Sequence, residues 1–452
     1  MKELASGQRE SGRLSLDDGA RVAVIGSGPA GSLFAYFVLQ MSDRIGITVD
    51  VDLYEPRTFA VPGSGGCNMC GGILSESFLH DLATEGISVP QHVVQRGIDS
   101  YMLHMDVGSV RIATPSHEMR IGAVHRGAGP RDVKEARWES FDRHLQQLAL
   151  TKGAHLVNAR VDEVRNDGVR PTLKARDSKA ESYDLIVVAS GVNSDILKVF
   201  EGLDIGYRRP AVTKTLVCEY YLGDDVITRT LGTSMHVFLL NIPRLEFAAM
   251  IPKGDHVTMC LLGEDIDDSL VEAFVAAPEV KACMPAHWNT EDKSCQCMPR
   301  INVLGVEKPY ADRFLFIGDC GITRLYKDGI GAAYRTAKAA ARAAMFGGVS
   351  EEAFRRYYMP VCRKIANDNR VGKVLFQSTR LARYASPLRR AVLHMAAKEQ
   401  SRPDAAPHMS SVLWDLFSGS APYADIFVRM LHPAFIGNLI WSAAAGNVTN
   451  HD

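Results

Sequence analysis

Apolar positions along this chain follow two rhythms. The short apolar run Val22-Ala23-Val24-Ile25 predicts a buried parallel strand, and the Val, Leu, Ile and Phe content of Ile47 to Tyr54, Tyr183 to Ala189 and Arg313 to Ile317 predicts further strands, with another over Ala154 to Val164. Runs with helical spacing lie between them. Ser32 to Met41 is apolar and glycine-free, and Ser75 to Gly86 puts Phe78, Leu79 and Leu82 on one face. Val133 to Lys152 does the same with Phe141, Leu145 and Leu148, and an alanine-rich helix is expected from Gly329 to Ala344. Two stretches have a different texture. Met102 to Ile121 alternates, and Val212 to Gly263 holds β-rich runs at Thr215 to Tyr221, Met235 to Leu240, Phe247 to Ile251 and Val257 to Leu262, with a hairpin turn at Pro252-Lys253-Gly254-Asp255. Both predict antiparallel sheet. From Glu351 onward the pattern is helical.

The junctions carry the chemistry. The first strand runs directly into Gly26-Ser27-Gly28-Pro29-Ala30-Gly31, and the helix after it can hold a pyrophosphate at its free N-terminal amides. Gly26 makes the tight turn, Gly28 lets backbone approach phosphate, and Gly31 lets helix lie on strand. The second strand ends at Glu55, twenty-four residues past Gly31, where an acid meets the adenosine ribose hydroxyls. Strand before, helix after and acid at the right distance predict a dinucleotide site in a Rossmann-like domain. Pro56 and Arg57 follow the acid as further candidate contacts, and Pro56 to Gly72 is too rich in glycine for regular structure. Later candidates are Arg137 and Val161, then Ala189 and Gly191 at the end of a returning strand. Gly318-Asp319 ends another strand, and Asp319 is placed to accept hydrogen bonds from ribityl or ribose hydroxyls. Gly329, Ile330 and Gly331 open the next helix, whose amides can support negative charge on a flavin ring.

At 452 residues the chain is long enough for two or three lobes. The expected division is a polar tail over 1–20, a cofactor domain over 21–200 and 301–350, a β-sheet substrate lobe over 201–300 with segments near 90–125, and a helical region over 351–452. The fold class is therefore α/β, an interrupted Rossmann-like domain with an inserted antiparallel sheet lobe and a helical C-terminal region. A net charge of −1 gives no general attraction for nucleic acid. Nine unevenly spaced cysteines suit free thiols in the cytoplasm, and no apolar stretch offers an unbroken membrane span or a secretory signal. Charge is uneven locally: Val361 to Arg402 holds ten Lys/Arg against two Asp/Glu, amid Leu375, Phe376, Leu381, Leu388, Val392 and Leu393. Phe427, Met430, Leu431, Phe435, Leu439 and Trp441 follow, so 361–445 is a candidate membrane-surface contact as well as a candidate solvated face.

With the Gly26 to Gly31 turn, Glu55, Cys70-Gly71-Gly72-Ile73, Ala189 to Ser194 and Gly318-Asp319 in that order, residues 20 to 345 resemble the FAD-dependent geranylgeranyl reductase family. That family belongs to the aromatic-hydroxylase-type flavoproteins. The resemblance implies FAD as cofactor, a small hydrophobic prenyl-like substrate whose carbon-carbon double bond is reduced, and an external electron donor (NAD(P)H, ferredoxin or quinol). It also implies a flavin-side role for Cys70, Gly71 and Gly72, with Cys70 the candidate catalytic residue. A flavin monooxygenase, an electron-transfer flavoprotein to quinone and a non-catalytic redox sensor are the alternatives. The chain departs from the family where Gly318-Asp319-Cys320-Gly321 replaces Gly-Asp-Ala-Ala, and where Arg324, Tyr326 and Lys327 stand near an expected proline. Cys67 makes a Cys-x-x-Cys with Cys70. It reads as a zinc half-site with Cys295 and Cys297, as a redox dithiol, or as a structural neighbour in a thiol-lined flavin pocket, the last being preferred and no metal expected.

Overall fold

The computed structural model describes residues 14–445 apart from 64, 68–69, 116–117, 132, 134–137, 287, 292 and 403–405, with only the backbone of 381–383 and 445. The expected α/β architecture is present. A six-stranded sheet runs in the order Tyr310–Ala311, Phe314–Phe316, Leu185–Val188, Ala20–Ile25, Val49–Tyr54, His155–Val157. All neighbours are parallel except the Tyr310–Ala311 edge, and Ala20–Ile25 pairs in register with both sides, Val22 facing Leu185 and Val51. Both faces of its central strands are covered, while Asp50 on Val49–Tyr54 stays exposed. Helix Pro29–Ile45 packs on one face with helices Phe141–Thr151 and Gly329–Arg342, while Phe200, Tyr207 and the small sheet strands Val161–Arg165 and Thr172–Ala175 cover the other.

The inserted lobe is an eight-stranded sheet. Its order is Lys293–Cys297, Ala211–Tyr221, His256–Gly263, Leu245–Pro252, Ser234–Phe238, Ser100–Met105, Gly108–Ala113, with Arg300–Leu304 pairing the other end of Ala211–Tyr221. One pair departs from the antiparallel expectation: Ser234–Phe238 and Ser100–Met105 run parallel, joining two segments far apart in the chain. Alternation along these strands makes two cores. Met235, Val237, Ala249 and Ile251 pack toward Trp414, Phe417 and the C-terminal helices, whereas Phe238, Ala248, Met250 and Met259 pack on Phe274 of helix Asp268–Ala276.

Three further expectations are corrected. The helix expected over Val133 to Lys152 spans Phe141–Thr151, because the Ser140 hydroxyl accepts from Arg143 N–H and caps it there. The strand expected over Ala154 to Val164 is two strands in two sheets, His155–Val157 and Val161–Arg165. The described end of the polar tail is not loose: Leu16 is buried, and Leu14 O accepts from Val349 N–H at 2.7 Å.

Candidate functional site

Sequence dictates the turn that opens the site. Gly26 has φ +101°, in the region that favours glycine, and a Cβ on Gly31 would lie 1.9 Å from Gly26 O. The turn thus closes tightly on the first helix, whose N-cap is Gly28. Gly26, Gly28, Pro29 and Ala30 line a cavity of about 660 Å3. Ser27 and Gly31 do not. Ser27 is fully buried, its N–H donating to Glu55 Oε2 at 3.1 Å and its hydroxyl accepting from Gln146 at 2.7 Å, so both residues shape the turn from behind.

Glu55, Pro56 and Arg57 line the same cavity, with Arg57 Nε 2.9 Å from Glu55 Oε1. Gly71 and Gly72, Val161, Ala189 and Gly191, and Gly318 and Asp319 line it as well. Gly72 has φ +72°, and a Cβ there would meet Val124 O at 2.0 Å, so the loop after Cys70 accepts only glycine at this point. Burial raises the Asp319 carboxyl above its ordinary value, outweighing a hydrogen bond from Thr323 and the charge of Arg126, and its place on the cavity wall lets ligand hydroxyls donate to it as well. Gly329 and Ile330 reach the cavity, while Gly331 does not; it leaves room for Asp328 Oδ1, 2.3 Å from where a Cβ would stand. Arg137 lies outside the described residues. Among the arginines that do line the cavity is Arg126, whose guanidinium pairs with the fully buried Asp142, 2.9 Å from Oδ2.

At the far end the cavity meets the lobe sheet and turns apolar. Met235, Leu239, Phe247, Ala249, Ile251, Tyr326, Phe376 and Phe417 line it there. Cys70 stands at this end, accepting from Gly72 N–H at 3.4 Å and hydrogen-bonded by Arg126. It also lines a second, smaller cavity of about 160 Å3 shared with Cys67, Cys295, Cys297, Arg131, Glu219 and Lys253. The two cysteine pairs therefore face one space, as free thiols. Among the described residues they do not bring three ligand atoms within 4.8 Å of one another.

Three features were invisible in the sequence. Lys253, expected in an exposed turn, is buried with its Nζ 3.2 Å from Glu219 Oε1 and 3.3 Å from His125 Nδ1, and Thr258 donates to the same carboxylate at 2.8 Å. Burial, with Lys253 beside it, holds His125 well below the usual imidazole value and neutral. Lys327 puts its Nζ 3.6 Å from the Phe247 ring centre inside the cavity, and burial there lowers its ammonium to about 7. Finally, Tyr326 and Asp328 flank it with φ of +61° and +53°, conformations that cost about 1–3 kcal/mol each and cluster at functional sites. The segment is held from outside: Asp328 accepts from Ser75 at 2.6 Å and Arg335 at 2.7 Å, Asn369 bonds both Leu325 N–H and Thr323 O, and Arg324 donates to Gly419 O and Ala421 O. A Glu within the apolar run Leu216 to Tyr221 was the one signal that pointed to the ion pair.

No family model and no curated protein sequence matches this chain. Solved structures do match. A flavoprotein/dehydrogenase from Cytophaga hutchinsonii aligns with a TM-score of 0.61 at 15% identity, covering 95% of this chain and 100% of its own. The p-nitrophenol 4-monooxygenase PnpA from Pseudomonas putida DLL-E4 aligns with a TM-score of 0.61 at 12% identity, over 90% and 99%. A variant of the halogenase PltM in complex with FAD aligns with a TM-score of 0.58 at 13% identity, over 95% and 97%. The chain thus shares its fold with a flavoprotein/dehydrogenase, a monooxygenase and an FAD-bound halogenase. The residues here fit FAD: a glycine turn that a Cβ would close, an acid at the end of the second strand, and the Asp319 carboxylate on the cavity wall between them and the apolar end.

Proposed function

We propose that this chain is an FAD-dependent oxidoreductase acting on a small hydrophobic substrate, and that its reaction is an oxygen-dependent monooxygenation. The observation that carries this is one continuous cavity joining the dinucleotide turn to an apolar face of the lobe sheet. Gly26 to Ala30 would hold the pyrophosphate, Glu55 the adenosine ribose and Asp319 the ribityl chain, leaving the flavin ring at Cys70, Gly71, Gly72 and Lys327. Bound FAD would supply the redox chemistry. Phe247, Ile251, Phe376 and Phe417 would orient the substrate and exclude water. Lys327, titrating near 7, would hold or release a proton at Nζ within that apolar end. The likeness in fold to a monooxygenase and a halogenase supports the use of oxygen.

A second reading, reduction of a prenyl double bond as in the geranylgeranyl reductases, is favoured by the Cys70 thiol at the cavity wall, a proton source beside the ring. NAD(P)H, ferredoxin and quinol are the candidate electron donors in either case. The deciding experiment loads the enzyme with FAD, reduces it anaerobically, and offers aromatic and prenyl substrates with and without oxygen. Oxygen consumed one for one with oxygenated product supports monooxygenation, a saturated product formed without oxygen supports the second reading, and a protein that takes up no FAD overturns both.

We also propose that the C-terminal helices touch an anionic membrane surface. Among the described residues no helix is long and apolar enough to cross a membrane. Leu375, Leu393 and Phe435 of the expected patch are core residues, and Arg389 is buried against Asp106. The exposed apolar side chains include Leu431 and Trp441 of that patch together with Val374, Val428, Ile436 and Ile440, and helices Tyr423–Met430 and Pro433–Ala445 pack on the basic helices Met359–Arg383 and Ser386–Gln400. Salt-sensitive binding to anionic but not neutral vesicles, lost on Trp441→Ser with Ile440→Ser, supports this; equal recovery in the supernatant with both lipids refutes it.

A further inference from the structure

The lobe sheet has a second face, turned away from the cavity, and three ligand-type side chains meet on it. His104 stands on strand Ser100–Met105, His236 on its parallel neighbour Ser234–Phe238, and Cys283 just past helix Pro278–Lys281. All three are buried, and their ligand atoms lie within 4.8 Å of one another. His104 Nε2 is 2.9 Å from His236 Nδ1 and 3.5 Å from Cys283 Sγ. We propose that His104 Nε2, His236 Nδ1 and Cys283 Sγ bind a zinc ion, leaving one place for water.

The distances suit the ion. Zinc bonds of about 2.0–2.1 Å to nitrogen and 2.3 Å to sulfur in a tetrahedron separate two nitrogens by about 3.3 Å and nitrogen from sulfur by about 3.6 Å. The separation of Cys283 Sγ from His104 Nε2 already matches, and the two ring nitrogens need to part by a few tenths of an ångström. One thiolate and two imidazoles are a ligand set that selects zinc over the hard cations. The outward nitrogens are held too: His104 Nδ1 lies 2.8 Å from Ser109 Oγ, and the other nitrogen of His236 bonds the Leu231 carbonyl. Metal-ligating histidines are oriented by such partners.

Without the ion the same groups satisfy each other in a chain. Ser109 donates to His104 Nδ1, His104 Nε2–H donates to His236 Nδ1, and the Cys283 thiol donates to Glu279 O at 3.2 Å. Binding moves the His104 proton from Nε2 to Nδ1, where Ser109 Oγ accepts it, and releases the thiol proton to solvent. One zinc–sulfur bond and two zinc–nitrogen bonds form, the S–H bond breaks, and one proton leaves per ion. The ion would clamp the parallel strand pair from behind. Met235, next to His236 in sequence, lines the cavity on the opposite face, so the clamp fixes the wall on which substrate rests.

The test uses the full chain loaded with FAD. Metal analysis after purification in zinc-containing buffer should give one zinc per chain. Removal with a chelator should lower the melting temperature, zinc should restore it, and cobalt should give tetrahedral ligand-field bands to the red of the flavin absorption. Cys283→Ala and His236→Gln should each remove the ion and the zinc-dependent shift, while a Cys67→Ser, Cys297→Ser double variant keeps both. One zinc retained in Cys283→Ala, loss in the double variant instead, or no zinc bound by wild type at micromolar concentration would each overturn the proposal; if one ligand variant fails to fold, the cobalt spectrum of the other decides.

Discussion

Lys253→Met isolates the buried ion pair beneath the Gly71-Gly72 loop. The substitution keeps the length of the side chain and removes its charge, leaving the Glu219 carboxylate with Thr258 as its remaining donor to that oxygen pair. At the observed 3.2 Å, and with an effective dielectric of about 20, Coulomb's law puts the lost attraction at roughly 5 kcal/mol. Both groups are buried, and removing one member of such a pair costs about 3–5 kcal/mol. Replacing both by apolar residues of similar size, Lys253→Met with Glu219→Leu, removes the orphaned charge and should recover most of the loss. The assay is urea unfolding of the three variants and wild type, read by tryptophan fluorescence. Trp138 is a local reporter, its Nε1 lying 2.8 Å from where a Cβ on Gly254 would stand. A double-mutant cycle then gives the coupling energy directly. A Lys253→Met variant within about 1 kcal/mol of wild type, or a double variant no more stable than the single ones, would show that the pair does not hold this loop.

Gly31→Ala forces a Cβ to within 1.9 Å of Gly26 O, so flavin retained through purification should fall on the order of tenfold or more, while far-ultraviolet circular dichroism stays native. Lys327→Met should remove a break near pH 7 from the turnover profile. Because the folded ammonium titrates near 7 against an ordinary 10.5, its cost to the fold is complete below pH 7 and fades as pH rises toward 10.5; wild type should gain stability relative to Lys327→Met across that window in chemical denaturation at several pH values. Cys70→Ser and Cys70→Ala should keep FAD, yet slow single-turnover reoxidation by a prenyl substrate on the order of a hundredfold if the thiol is the proton donor, with Cys67→Ala near wild type. Wild-type rates in both Cys70 variants would remove the thiol from the chemistry, and equal collapse of Cys67→Ala and Cys70→Ala would point to a dithiol.

What was legible in the sequence is what local constraint writes there. A tight glycine turn between an apolar strand and a helix has one structural solution, so Gly26, Gly28, Pro29, Ala30, Glu55 and Gly318-Asp319 could be placed on one cavity from spacing, while Ser27 and Gly31 serve the turn from behind. The strands of the lobe were equally visible, since each carries its own alternation. Their partners were not: nothing in Ser100–Met105 announces a parallel neighbour some 130 residues later. The same holds for charge. Lys253 after a proline looks like a turn, and only Glu219, 34 positions earlier, makes it a buried ion. Lys327 was read as a departure from a motif, because its low basicity comes from burial in the cavity rather than from its neighbours in sequence. In the C-terminal helices, spacing picked out apolar residues but could not say which of them face the core.

The left-handed segment around Lys327 reaches the flavin end of the cavity, yet its shape is imposed by Asn369, Gly419, Ala421 and Tyr423, which arrive late in the chain. A ribosome releasing residues in order would have the glycine turn, both main sheets and Asp319 in hand with this wall of the pocket still unset. The setting of this wall therefore follows synthesis of residues 369 to 423, well after the glycine turn has been made.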